Sequence, residues 1–246
     1  MLSIEGVTKR YGAFVAVDDL SLHVPAGCLF GLLGPNGAGK TTTMKMVAGL
    51  VRPTSGRVLV DGIDVVVDPL RAKRTLGYVP DRPSLYEKLT AFEYMRFIGG
   101  LYRMPEDTVE SRGLTLLGQF GLGDKTQSLI ESFSHGMKQR LVMASVLLHA
   151  PKLLVVDEPM VGLDPRGMRL LKEVLRAETR EHGRTVVFST HTLVDAEEIC
   201  DEVAIVHRGR IVARGTPAAL RDATGETAAR LEEAFLALTE DGADSP

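Results

Sequence analysis

The chain has 246 residues, enough for one large domain or two lobes around an ample core. Its 44% hydrophobic and 25% charged residues are those of an ordinary soluble globular protein, and no apolar run approaches the ~20 residues that span a bilayer. A net charge of −3 argues against a strong electrostatic footprint for nucleic acid, so no such partner is expected.

The opening residues, Met1 to Gly6, show no charged segment followed by an apolar stretch and hence no secretory signal. A cytoplasmic chain is the simplest expectation. Leu2 to Val7, Phe14 to Val24 and Arg57 to Ile63 alternate apolar and polar residues. Turn signals stand at Tyr11-Gly12, Pro25-Ala26-Gly27 and Asp61-Gly62, so the first third reads as antiparallel strands. Cys28 and Cys200 both sit among apolar residues and read as reduced core thiols rather than a disulfide framework.

The apolar run Cys28 to Leu33 leads into Gly34-Pro35-Asn36-Gly37-Ala38-Gly39-Lys40-Thr41, a complete GxxxxGK[ST] loop, and a helix-compatible segment from Thr42 follows. Glycines let backbone N–H groups turn inward around phosphate oxygens, and a helix N-terminus adds positive potential. Lys40 would reach the β- and γ-phosphates, and the Thr41 hydroxyl would ligate Mg²⁺.

Gly77-Tyr78-Val79 reads as a strand that stops at Pro80. From about 84 to 150 the pattern is helical: Thr90 and Glu93 form a capping box, 106 to 118 reads as a second helix, and Met137, Leu141, Ala144, Ser145 and Leu148 share one face of a third. The wholly apolar Leu153 to Val156 then reads as a strand buried on both faces of a parallel sheet. Asp164-Pro165 starts a helix with Pro at its first position, and Thr185 to Ser189 is another buried strand. Val203 to Val206 and Arg210 to Ala213 form a hairpin through Arg208-Gly209, and Thr216-Pro217 opens a short helix. Ala228 to Leu238 is amphipathic, with a polar tail beyond it. The organisation expected is a helical insert within an α/β nucleotide-binding body.

Two further elements carry chemistry. The strand ending in Asp157-Glu158 has the form that holds Mg²⁺ opposite a phosphate loop, with Asp157 in the metal shell and Glu158 placed to polarise an attacking water. Read alone, it is equally a strand end with solvated charges. Ser132 to Leu141 puts Ser134 and Gly136 at a helix start, offering a hydroxyl, N–H groups and a dipole to an anion. Read alone, that is a helix N-cap.

With these motifs in this order, residues 2 to 220 resemble the ATP-binding subunit of an ABC transporter. Gly34 to Thr41 matches the family's Walker A loop, with Thr42 beside it for an α-phosphate contact. Ser134 to Lys138 matches the signature loop in a Ser-x-Gly-Met form, and Asp157-Glu158 matches Walker B plus the catalytic Glu. Gly162 to Pro165 matches the D-loop, His191 the switch histidine and Tyr11 the aromatic that stacks on adenine. The resemblance implies an α/β fold with a P-loop NTPase (RecA-like) core sheet, an N-terminal antiparallel β-subdomain and an inserted α-helical subdomain. An ATP-binding domain over 1–220 and a short helix and tail over 221–246 are expected.

It also implies an ATPase that uses ATP and Mg²⁺. Glu158, His191 and Lys40 would be catalytic, Thr41, Asp157 and Asp81 would face the metal, and two chains would pack head to tail with Ser134 and Gly136 of one facing the nucleotide of the other. A separate transmembrane permease, touched by the loop at Asp81 and the helices up to about 105, would hold the chain at the cytoplasmic face of the membrane. Where the family has Gln, this chain has Asp81. That acidic residue and the Ser-x-Gly-Met-Lys-Gln-Arg loop resemble an export-type group, as does the segment 231–236. The alternatives are a non-transport ABC ATPase with a soluble, nucleic-acid or ribosomal partner, and a module that binds ATP as a switching ligand.

Overall fold

The computed structural model describes residues 1–222; the amphipathic segment expected at Ala228 to Leu238 and the polar tail lie outside them. In chain order the elements begin with β1 (Leu2–Tyr11), β2 (Phe14–Val24), β3 (Leu29–Leu33), α1 (Lys40–Val47), β4 (Ser55–Val60) and β5 (Ile63–Asp64). Next come α2 (Pro69–Thr75), β6 (Leu76–Val79), α3 (Ala91–Leu101), α4 (Glu106–Gln119), α5 (His135–Leu147) and β7 (Leu153–Asp157). The last are α6 (Pro165–Arg180), β8 (Thr185–Thr190), α7 (Leu193–Ile199), β9 (Glu202–His207), β10 (Arg210–Gly215) and α8 (Pro217–Asp222).

Period-two patterning builds the first sheet. In β2, Leu20, Leu22 and Val24 are buried while Asp19, Ser21 and His23 are exposed, so one face packs and the other meets water. Its order is β2-β1-β4-β5, all antiparallel. The second sheet has the order β10-β9-β3-β8-β7-β6 and is parallel except for β10, which returns beside β9. The turn at Arg208 (φ 49°) and Gly209 (φ 80°) has two left-handed residues in succession, as a tight two-residue hairpin requires.

The continuous apolar runs are explained by what lies on each side. Phe30 and Leu32 of β3 pack with α1 and the antiparallel sheet, while Leu29 and Leu33 pack with Leu117, Leu141 and Phe188 in the core beneath the helices. Both faces of the parallel sheet are therefore covered, and every residue of β3, β7 and β8 is buried. Cys28 lies in the first core and Cys200 packs against the second; both are free thiols.

Helices α3, α4 and α5 fall in the chain between β6 and β7, which are neighbours in the sheet. The capping box on α3 is present in both directions: Glu93 N–H donates to Thr90 Oγ1 (3.2 Å), and Thr90 N–H donates to Glu93 Oε2 (2.8 Å). Helix α5 is less one-sided than its pattern suggested: Leu141, Val142, Met143, Ala144 and Ser145 are all buried, because α3, α4 and β6 pack around it. Asp164 caps α6 by accepting from Gly167 N–H at 2.7 Å. Two seven-residue helices, α2 and α7, complete the fold and were not expected from the pattern.

Candidate functional site

The carboxyl ends of three adjacent parallel strands, β3, β8 and β7, carry the site. This is where an open α/β sheet leaves a crevice for a ligand. The loop after β3 runs into α1. Gly39, the residue before that helix, has φ 105°, and a Cβ there would stand 2.5 Å from Ala16 O, so both backbone and space demand glycine. No side chain caps α1. Its first N–H groups are thus left for a ligand, and the helix dipole favours an anion.

A cavity of about 290 Å³ runs along residues 35 to 42 and is closed by Phe14, Ala16, Asp81 and Glu158. Lys40 is buried beside it. Its ammonium donates to Gly34 O (2.7 Å) and Pro35 O (3.2 Å) and faces Glu158 Oε1 at 3.2 Å. At the end of β7, Asp157 is fully buried. Thr41 Oγ1 donates to its Oδ1 at 3.2 Å and Ser189 Oγ donates to the same oxygen at 2.6 Å. Burial, with smaller pushes from Asp81 and Glu158, raises the Asp157 pKa above the ordinary carboxylate value, against the two hydroxyl donors. Its other oxygen, Oδ2, is buried with no hydrogen-bond partner among the described residues.

Glu158 follows with φ 47°, a left-handed conformation that costs a non-glycine residue energy. Its N–H donates to Ser189 Oγ at 3.0 Å. The turn aims the carboxylate back over the loop, where Oε1 meets Lys40 and Oε2 lies 2.9 Å from His191 Nδ1. Ser189 therefore holds Asp157 by its side chain and Glu158 by its backbone. The sequence points to His191 just beyond β8; Ser189 carries no local signal, and the pairing of β7 with β8 is what sets it opposite Asp157.

Gly34, Pro35, Asn36, Gly37, Ala38, Gly39, Lys40, Thr41, Thr42, Asp81, Asp157, Glu158 and His191 thus gather at one end of the sheet. Tyr11 does not line the cavity: it is half exposed, with Lys9 Nζ 4.9 Å from its ring centroid. Phe14, its cross-strand partner, does line it, and the signal for it in the sequence is its exposed place in a strand otherwise alternating toward the core. Ser134 and Gly136 lie outside the cavity. Ser134 is exposed and caps α5, its Oγ accepting from Met137 N–H at 3.3 Å, and Leu163 packs against Gly136.

The oxygen donors at the loop suit a hard cation. Thr41 Oγ1, the partnerless Asp157 Oδ2 and the nearby Asp81 carboxylate are the few protein oxygens that Mg²⁺ takes when phosphate and water supply the rest.

Comparison with known proteins gives one consistent result. A family described as ABC transporter matches residues 17–161. The linearmycin resistance ATP-binding protein of Bacillus subtilis (strain 168) is 37% identical over 242 residues, covering 96% of this chain and 78% of that protein. A solved ATP-binding subunit of an ABC transporter superposes with a TM-score of 0.89 at 35% identity, over 97% of this chain and 99% of the other. A dimeric ATP-binding cassette in a post-hydrolysis state, bound to ADP and Pi, superposes at 0.81 with 25% identity, over 88% and 98%.

Proposed function

The chain belongs to the ABC transporter family as an ATP-binding, ATP-hydrolysing subunit, and from that premise we propose how its residues hydrolyse ATP and what the hydrolysis drives. The observation that carries the proposal is the convergence of Lys40, Thr41, Asp157, Glu158 and His191 on one loop. The α1 N-terminus and the loop amides hold the phosphates, with Lys40 on the β- and γ-groups and Thr42 at the α-phosphate. Lys40 has to leave the carbonyls of Gly34 and Pro35 to do so, and the incoming phosphate replaces them. Tyr11 and Phe14, at the end of the same hairpin, offer aromatic faces to adenine.

Water attacks the γ-phosphorus and gives a proton to Glu158 as the bond to the β-phosphate oxygen breaks, so that ADP and phosphate leave. Glu158 is the general base, aimed by its left-handed backbone and by Ser189. His191, 2.9 Å from Glu158, orients that carboxylate and reads the γ-phosphate. Mg²⁺, held by Thr41, Asp157 and Asp81, would neutralise charge on the phosphates. Ser134 and Gly136, outside their own chain's cavity, would complete the site of a second copy, so that two chains enclose two ATP molecules head to tail.

The work is transport through a separate permease. A groove of about 370 Å³ between β6, α3 and α5 is lined by Tyr78, Pro80, Tyr94, Ile98, Tyr102 and Val146 among others. Beside it Tyr86 and Phe97 stack edge to face at 5.0 Å with both rings exposed, an apolar surface fit for a permease segment. No helix among the described residues is long and apolar enough to cross a membrane. Docked on that partner, the chain would sit at the cytoplasmic face. The acidic Asp81 and the linearmycin-resistance role of the Bacillus subtilis relative favour export.

Affinity purification of tagged Glu158→Gln from detergent-solubilised membranes, with ATP and Mg²⁺, tests the reading. A stoichiometric polytopic membrane protein is expected. Recovery of a ribosomal, nucleic-acid or other soluble partner, with the chain absent from membranes, would replace transport with the non-transport alternative.

A further inference from the structure

Tyr78 is the one tyrosine of the parallel sheet, and it sits where β6 meets β7. In that pair it stands opposite Val155, with Asp157 two residues further along the same face. Its hydroxyl is buried without a hydrogen-bond partner among the described residues, and so is Asp157 Oδ2. The other oxygen of Asp157 is already taken by Thr41 and Ser189. A buried hydroxyl left alone is a net cost, and a phenylalanine would fill the same space without it.

We propose that Tyr78 is a positioning residue: its hydroxyl donates to Asp157 Oδ2 and fixes the plane of the carboxylate that faces Mg²⁺. The proposal rests on the reading of Asp157 as a metal-facing residue. One lone pair of Oδ2 takes the phenol and the other remains for the ion or its water. With Ser189 and Thr41 on Oδ1, the carboxylate is then gripped at both oxygens. Groups behind a metal-facing residue set its orientation and affect metal affinity strongly.

The test is Tyr78→Phe, which keeps the ring and removes one oxygen. Binding of a fluorescent ATP analogue is measured at equilibrium, first in EDTA and then across a Mg²⁺ titration. The expected result is an unchanged metal-free affinity and a Mg²⁺ half-saturation raised about tenfold. In an Asp157→Asn background the same change should have no further effect, because the hydroxyl acts only through that carboxylate. A wild-type Mg²⁺ titration for Tyr78→Phe, with Asp157→Asn impaired, overturns the role of Tyr78 alone. Equal weakening with and without Mg²⁺ assigns Tyr78 to packing and overturns it as well. A wild-type Mg²⁺ titration for Asp157→Asn removes the reading of Asp157 and the proposal with it.

Discussion

Ser189 joins the two carboxylates on which the proposed chemistry depends. Replacing it with alanine leaves Asp157 Oδ1 with Thr41 alone and strips the partly buried Glu158 N–H of its acceptor. Ser189→Ala should cost about 1–3 kcal/mol by urea unfolding, and turnover by phosphate release should fall about tenfold or more. A stability loss with unchanged turnover would reduce Ser189 to a structural residue. Glu158→Gln acts differently, because it keeps shape and a hydrogen-bonding oxygen while removing the proposed base. Turnover should fall by about 10²–10⁴-fold, and ATP-bound dimers should accumulate on size exclusion; wild-type turnover would remove Glu158 from its role. These side chains differ in how legible they were. Lys40, Thr41 and Glu158 lie in local motifs whose spacing has a mechanism. Ser189 acts only because β7 lies beside β8, a long-range pairing that no short motif encodes.

At the scale of elements, long strands and helices with strong patterning or caps were readable: the Thr90 box and the Asp164-Pro165 start fall where α3 and α6 begin. Helix α2 carries the same Asp-Pro cap at Asp68-Pro69 but little else in its sequence marks it. With seven residues and Ala72 alone buried, it shows no apolar period. The pattern of α5 looks one-faced because sequence periodicity does not reveal that three elements surround it.

His149, just beyond α5, ties these elements together. Its ring stacks on Tyr102 at 3.7 Å, and its Nε2 lies 3.2 Å from Leu76 O at the start of β6. Burial chiefly, with help from Arg184 and Arg112, lowers its pKa to about 4 from 6.5, against the bond to Leu76. The unfolded chain therefore binds more protons between those values. Stability that is complete above pH 6.5 is lost as the pH falls toward 4. His149→Phe keeps a stacking ring and removes the titration. From pH 7 to 5, without nucleotide, the wild type should lose about 1–2 kcal/mol more in urea unfolding than this variant, with screening discounted. Parallel losses would show that the ring is protonated without penalty in the folded state.

In the proposed head-to-tail pair the whole molecule would present half of a site at each of two places. The phosphate loop lies at the ends of β3 and α1, while Ser134 and Gly136 stand at the exposed start of α5, outside the cavity along that loop. If the halves meet only between copies, damage to different halves can be sorted by mixing. Lys40→Ala disables the loop, and Gly136→Asp sets a carboxylate where the partner's phosphate would lie. Aspartate in the first turn favours the helix, so α5 should keep its fold. Each variant alone pairs with itself and has two broken sites. In a mixed dimer the intact loop of the Gly136→Asp chain faces the intact Ser134-Gly136 turn of the Lys40→Ala chain, and one site is whole. Random pairing makes half of the dimers mixed, each with one working site of two, so activity should recover to about a quarter of wild type if the sites act independently. Recovery should scale with the product of the two concentrations. Two inactive variants that stay inactive together, while size exclusion shows them pairing, would mean either that each chain completes its own site or that one whole site cannot turn over beside a broken one. A covalently linked pair carrying both lesions in one half and none in the other separates these: it keeps turnover in the first case and, with one broken half in each composite site, loses it in a head-to-tail dimer.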